Sequence, residues 1–348
     1  MASPVDHHAS GIAVVIPYYD GARWIERALD SVFSQSVPAA EVIVVNDGSK
    51  PAQREALGAL QRRHDFRILD KPNGGQGSAR NAGVAATRAP LIAFLDQDDF
   101  YLPHHNEDLL GALPARDPRL GFVYADLCDA DGDGNIIHSN MLRQQISIHP
   151  KAGHVIRILR DDMFILPSAA LIKREVFEAM GGFDEQFTGY EDDDLFLRMF
   201  RAGYTNYFLD KPVTVWCRHE GSTSWSLRMS RSRLRYFKKL VDSYRDDPTF
   251  ENYYFRDGLL PRFEPKFLWD VERAIERGDD DNLPELRQIL AEFVAIVEDQ
   301  PHVAPVHKAK LRAETYVLTH LPAGTVRAMK KVARLPMFRK IVSRARLR

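Results

Sequence analysis

Cysteine is nearly absent from this chain. Cys128 and Cys217 are the only two in 348 residues, too few and too far apart for a disulfide framework or a cysteine-rich metal site, which fits a reducing compartment. Long apolar runs are missing too. No stretch approaches the ~18–20 residues of a membrane span, and Met1 to Ser10 lack the basic and apolar regions of a signal peptide. The expected location is therefore cytoplasmic. An excess of one charge is also lacking: 47 Lys plus Arg face 48 Asp plus Glu, a formal charge of −1. The chain as a whole offers no electrostatic case for nucleic acid as a partner. What remains is a globular composition, 45% hydrophobic and 27% charged, in a chain long enough for roughly two domains.

The first hundred residues alternate apolar runs with amphipathic segments. Ile12 to Ile16, Val42 to Val45 and Leu91 to Leu95 read as buried parallel strands, with a weaker one at Phe66 to Leu69. Trp24, Ile25, Ala28, Leu29, Val32 and Phe33 fall on one helical face, and a second helix is expected over Ser78 to Thr87. This alternation predicts an α/β layered domain whose ligands bind beyond the carboxyl ends of the strands. Further on, strands are expected at Phe122 to Ala125, Ile136 to Ile137, Asn206 to Leu209 and Val213 to Cys217. Helices are expected near Gly153 to Leu159, at Arg174 to Met180 and at Glu191 to Arg201. From Leu227 onward the pattern is helical.

Polar residues cluster where the strands end. Asp96 and Asp98 follow the third strand, two apart, so on extended backbone they face one side. Two carboxylates this close repel unless a cation joins them, and a hard divalent ion such as Mg2+ or Mn2+ would do so while taking phosphate oxygens of a substrate. An isolated Asp-x-Asp also reads as a solvated acidic turn. Gly75-x-Gly77 suggests a dinucleotide loop, but the third glycine position is Arg80 and the first strand ends on Pro17, which disfavours that reading. Asp129-x-Asp131-x-Asp133-Gly134 copies the start of a calcium loop, but its twelfth position is Asn140. A turn between two strands is expected instead.

Four elements taken in order resemble the inverting family-2 glycosyltransferases of the GT-A fold. They are Val14-Val15-Ile16-Pro17-Tyr18-Tyr19-Asp20, Val44-Val45-Asn46-Asp47-Gly48-Ser49, Leu95-Asp96-Gln97-Asp98-Asp99 and Gly189-Tyr190-Glu191-Asp192-Asp193-Asp194-Leu195. The resemblance covers roughly residues 11–225 and implies a Rossmann-like mixed sheet flanked by helices, a nucleotide-diphospho-sugar donor and a divalent metal, Mn2+ or Mg2+. It implies that Asp98 ligates the metal, and that Asp96 contacts the ribose or assists the metal beside Gln97. It also implies that Asp47 reads the uracil edge and that the Pro17 to Tyr19 turn frames the base. Tyr19 aligns with the stacking aromatic, although either Tyr18 or Tyr19 offers a π-face. Arg80 and Asn81 are placed near the nucleotide, Arg218 against phosphate charge, and His219 at the metal or diphosphate. Asp192 is the expected base for the acceptor hydroxyl, with Glu191 as the fallback in base or acceptor-binding roles. A carboxylate at position 47 also makes physical sense, because it accepts from the N3–H of uracil and offers nothing complementary to cytosine.

The expected division is a tail over 1–10, the transferase domain over 11–225, a helical region over 226–324 and a basic amphipathic tail over 325–348. That last stretch carries nine basic residues and no acidic one, which leaves residues 1–324 at −10. Such a segment suits peripheral contact with the cytoplasmic face of an anionic membrane, where a lipid-linked or glycan acceptor of surface polysaccharide synthesis would lie. Two other functions compete. A sugar-phosphate nucleotidyltransferase would need a glycine-rich basic loop after the first strand, where Pro17-Tyr18-Tyr19 stands. A non-catalytic nucleotide-sugar-binding protein would not need Asp192.

Overall fold

The structure, a computed structural model, describes residues 10–144, 149–151, 153, 155–219 and 226–333. The chain divides into two compact units, one of residues 1–154 and 162–225, the other of residues 155–161 and 226–348.

The first unit is built on one mixed sheet. Its opening elements are β1 (Ile12–Tyr18), α1 (Ile25–Phe33), β2 (Glu41–Asp47), α2 (Pro51–Leu60), β3 (Arg67–Lys71), α3 (Gln76–Ala85), β4 (Leu91–Phe94), β5 (Phe100–Tyr101) and α4 (His105–Gly111). They are followed by β6 (Leu120–Asp131) and β7 (Ile136–His138). After α5 (Val155–Arg160), which belongs to the second unit, come β8 (Ala170–Lys173), α6 (Arg174–Ala179), α7 (Glu191–Arg201) and β9 (Thr205–Arg218). The strand order is β3-β2-β1-β4-β8-β6-β9-β5, with β7 paired to β6. Strands β3, β2, β1 and β4 are mutually parallel, β8 is antiparallel to both β4 and β6, and β6 is parallel to β9. Six strands therefore run the same way and bring their carboxyl ends to one edge.

The β-branched runs form strands because both faces of the sheet are covered. All seven residues of β1 are buried. Ile12, Val14, Ile16 and Tyr18 join Ile25, Ala28, Leu29 and Val32 of α1 in one core. Across the sheet α3 lies so close that a Cβ on Gly83 would stand 2.3 Å from Val15 Cγ1 and 3.1 Å from Val45 Cγ2. Gly83→Ala is expected to overpack this contact, cost about 1–3 kcal/mol and lower Tm by roughly 3–10 °C. An unchanged thermal transition would show that α3 is free to shift on the sheet.

Several expectations need correction. β1 does not stop at Pro17 but continues through Tyr18, with Pro17 opposite Val45 beyond the last residue paired to β4. The two strands expected between Asn206 and Cys217 are one strand, and the interruption at Pro212 is absorbed by register shifts around Asp126 of β6. Helices α2 and α4 and strands β5 and β8 were not expected: the helices bury few apolar residues, and the strands are only two and four residues long. In α2 only Leu57 is buried. The calcium-like segment is a hairpin turn between β6 and β7, in which Asp131 accepts from the amides of Asp133 (3.0 Å) and Asn135 (2.9 Å).

The second unit is helical: α5, α8 (Leu227–Ser243), α9 (Leu260–Arg277), α10 (Leu283–Glu298), α11 (Pro305–His320) and α12 (Ala323–Ala333). Phe237, Phe263, Phe267 and Phe293 pack ring against ring at its centre. The basic stretch begins inside this unit, with Val326 buried and Arg327 Nη1 donating to Ile275 O (2.9 Å) at the end of α9. Arg334 and the rest of the expected amphipathic tail lie outside the described residues. Among the described residues no helix is long and apolar enough to cross a membrane.

Candidate functional site

The site residues collect where β1, β2, β4, β6 and β9 end. After β4 the chain turns tightly, Asp99 N donating to Asp96 O (3.1 Å). Asp99 is buried and anchors the turn to β9 by accepting from Cys217 N (2.8 Å). Burial, with the charges of Asp98 and Asp96, pushes its carboxyl well above the usual range. Arg27 of α1 donates to Asp98 O (2.8 Å). The Asp98 side chain then points its Oδ2 at His219 Nε2, 2.8 Å away at the end of β9.

Gln97 clasps the end of β1. Tyr19 N donates to its Oε1 (2.9 Å) and its Nε2 donates to Tyr19 O (3.1 Å). The amide lies over Gly21, where a Cβ would stand 2.1 Å from Gln97 Oε1, so the clasp depends on the missing side chain. Of the two tyrosines, Tyr18 is fully buried and donates its hydroxyl to Gln53 O (2.7 Å). Burial, then the charge of Asp20, pushes that phenol up to about 12. Tyr19 is the exposed one, at 47%.

Asp47, expected to read the uracil edge, is 3% exposed and held by β3 and the loop before α3. Its carboxylate accepts from Lys71 Nζ (2.6 Å), Gly74 N (2.9 Å) and Gly75 N (2.8 Å). Lys71 was not foreseen. It is the register partner of Asp47 across β2 and β3, and register is what a sequence pattern does not display.

Arg80 is the buried cation of the site, 2% exposed. It projects from α3, donates through Nη2 to Asp96 Oδ1 and through Nη1 to Glu191 Oε1 (2.9 Å), and lies 5.3 Å from the Phe183 ring. Glu191, also 2% exposed, accepts from Gln76 Nε2 and Gly189 N (2.8 Å) as well. Counting Arg80, three donors converge on it and tie α3 to the start of α7. Asp192 stands next along the first turn of α7. It follows Tyr190, whose φ of 68° is a left-handed conformation that bulky residues adopt at a cost. Burial, then the charges of Glu191 and Asp193, pushes the Asp192 carboxyl well above the usual carboxylate range.

Two expected site residues are otherwise engaged. Asn81 donates to Phe183 O (2.9 Å) and Glu185 Oε1 (3.0 Å) and accepts from Phe183 N (2.8 Å), fixing the turn before α7. Arg218 forms a two-pronged pair with Asp129 of β6. Asp129 opened the calcium-like pattern, and nothing in that pattern named its partner.

Among the described residues no three His, Cys, Asp or Glu side chains are grouped so as to hold a metal ion. Two donors do stand together, the Asp98 carboxylate and the His219 imidazole, and such a pair would suit a divalent cation that takes its other ligands from a diphosphate and water. Burial pushes the Asp96 carboxyl up against the pull of Arg80, and the charge of Asp98 adds to the rise. A second cation beside Arg80 would relieve this repulsion.

Residues 13–181 match the family described as Glycosyl transferase family 2, and residues 168–220 match the family described as N-terminal domain of galactosyltransferase. Chondroitin synthase of Pasteurella multocida is 29% identical over 203 residues, covering 57% of this chain and 20% of that protein. Other matching stretches span about a third of the length of several further curated relatives. Among solved structures, S. aureus TarS 1-349 in complex with UDP superposes with a TM-score of 0.60 at 14% identity, over 93% of this chain and 92% of that one. The mannosyltransferase PcManGT from Pyrobaculum calidifontis, in complex with GDP-Man and Mn2+, gives 0.53 at 18% identity, over 95% and 83%. At such identities the likeness establishes the fold, which is GT-A.

Proposed function

Since this chain belongs to the family 2 glycosyltransferases of the GT-A fold, we propose that it is a metal-dependent, inverting enzyme using a UDP-sugar. Its acceptor on this reading is a hydroxyl of a glycan or lipid-linked acceptor in cell-surface polysaccharide synthesis. The observation that carries the proposal is a set of polar pairs at one sheet edge: His219 meets Asp98, and Arg80 meets both Asp96 and Glu191, the residue before Asp192. On this reading the Asp98–His219 pair is the cation site, and the raised Asp192 carboxyl lies beyond the buried Arg80 guanidinium.

The roles follow from chemistry. Tyr19 offers its exposed ring to the base. Asp47 has three donors already, which leaves about one of its four lone-pair directions for the N3–H of uracil. Asp98 and His219, with Asp96, would hold the cation, which when bound supplies Lewis-acid neutralisation of the departing diphosphate. Asp192 takes the proton of the acceptor hydroxyl as its oxygen bonds to the anomeric carbon and the bond to the diphosphate breaks. Its raised pKa makes it a stronger base than an ordinary carboxylate. One displacement from the opposite face inverts the anomeric centre. The name of the Pasteurella relative supports a polysaccharide product.

The test is release of nucleoside diphosphate from a panel of UDP-sugars and GDP-mannose, with Mn2+, Mg2+ or EDTA, across glycan and lipid-linked acceptors. UDP donors should turn over, EDTA should suppress turnover, and product NMR should show an inverted anomeric configuration. Metal-independent turnover, a retained configuration, or no release from any donor would overturn the reading.

A further inference from the structure

Trp24 falls in the apolar stripe of α1 by spacing, yet it does not enter the core that Ile25, Ala28, Leu29 and Val32 share. It stands at the N-terminal boundary of α1, held there because Trp24 N and Ile25 N both donate to Gly21 O (3.0 and 3.1 Å). Its indole stacks on the imidazole of His219, ring centroids 4.5 Å apart and planes 17° from parallel. The indole Nε1 is buried without a hydrogen-bond partner, so the ring face accounts for the position and the N–H does not.

The surroundings close His219 in. The β6–β7 turn lies against it at Gly132, where a Cβ would stand 3.1 Å from His219 Cβ. The same turn reaches α1 through Asp133, which pairs with Arg23 (3.3 Å), and the Arg23 guanidinium lies 5.8 Å from the Trp24 ring. The Arg23–Asp133 pair is exposed and adds little by itself. Imidazole χ2 is a broad torsion, so a histidine at a strand end needs something to choose its ring plane. The indole face does so, and the chosen plane puts Nε2 2.8 Å from Asp98 Oδ2.

We propose that Trp24 is a positioning residue whose indole fixes the His219 imidazole beside Asp98 for a divalent cation carrying a nucleoside diphosphate. The proposal rests on the reading of Asp98 and His219 as cation ligands. One aromatic stack corresponds to about 2- to 10-fold in affinity, and that effect should fall on the metal-dependent part of nucleotide binding alone.

The experiment is calorimetric titration of the full chain with UDP, in Mn2+ and in EDTA, for wild type, Trp24→Phe, Trp24→Ala, His219→Ala and the Trp24→Ala/His219→Ala double variant, with thermal unfolding as a check on folding. Expected are UDP binding tightened by Mn2+ in wild type, a loss of about 2- to 10-fold in Trp24→Ala confined to the Mn2+ arm, and recovery of most of it in Trp24→Phe. The double variant should bind as His219→Ala alone does. Unchanged Mn2+ affinity in Trp24→Ala, an equal loss in both arms, or a further loss on the His219→Ala background would overturn the proposal. Wild type binding UDP no more tightly in Mn2+ than in EDTA would overturn the cation reading of Asp98 and His219, and the proposal with it.

Discussion

Asp192→Asn is expected to lower kcat by about 10²–10⁴-fold, the contribution of a positioned general base, while leaving the affinity for UDP unchanged. The amide keeps the shape of the side chain and can still accept from Asp193 N, as Asp192 Oδ1 does at 2.8 Å, but it has no basic oxygen for the acceptor proton. Stability should move the other way. The folded-state pKa of Asp192 is raised by burial and by Glu191 and Asp193, so ionising the group at neutral pH works against folding and the neutral amide does not. The contribution of such a group is present below its unfolded pKa and lost as pH rises through the folded one. At pH 7 the variant should therefore be at least as stable as wild type, and a loss of activity accompanied by a lower Tm would point to misfolding instead. The wild-type rate should fall on acidification through the raised pKa, and that limb should vanish from the residual rate of the variant. A variant with near-normal kcat would remove Asp192 from the chemistry.

Arg80→Met should have the largest effect on stability. The guanidinium sits among Asp96, Glu191 and the Phe183 ring. Its removal leaves the buried Glu191 with only the neutral donors of Gln76 and Gly189. Taking one partner from a buried ion pair costs about 3–5 kcal/mol, a large fraction of an ordinary folding free energy. Chemical denaturation should show that loss, and Tm should fall on the order of 10 °C. The deficit should shrink as pH drops. Burial and Asp98 already raise the Asp96 carboxyl against the pull of Arg80, and without that pull it rises further, so protonating it favours the folded state. Pairing Arg80→Met with Glu191→Gln should recover part of the loss, because no charge is then stranded. Denaturation identical to wild type would mean that water replaces the guanidinium and that the pair is not closed off.

The features most legible in the sequence were those decided by local rules. The β-branched runs of β1, β2 and β4, and the acidic first turn of α7 ended by Gly203, declare themselves through propensity, the helix dipole and a positive φ. The strand ends lead to Tyr19, Asp47, Asp96 and Asp98, which outline the candidate site, while the resemblance of the ordered motifs was needed to single out Glu191 and Asp192 from an acidic helix start. Pairing across long separations was not legible. Arg218 meets Asp129 from 89 residues away, Arg80 meets Glu191 from 111, and His219 meets Asp98 from 121. Each of these depends on the order and register of the sheet. Trp24 shows the limit of periodicity itself. Adjacent positions 24 and 25 both fit an apolar stripe, but only Ile25 can point inward where the helix begins.

The short helix α5 lies between two stretches of the first unit in sequence but belongs to the second, where Leu159 is buried and packs against Gly258. The backbone therefore passes from one unit to the other three times rather than once. For anyone dissecting the protein, a cut after Trp225 does not yield two whole pieces. The N-terminal fragment would keep Val155 to Asp161 with Ile158 and Leu159 stripped of the helices that cover them, a sticky segment prone to aggregation. A fragment starting at Ser226 would have a groove where α5 belongs. Swapping the helical unit between homologues would have to transplant both segments together, so the threading of the chain sets the unit in which this protein can be exchanged, truncated or recombined.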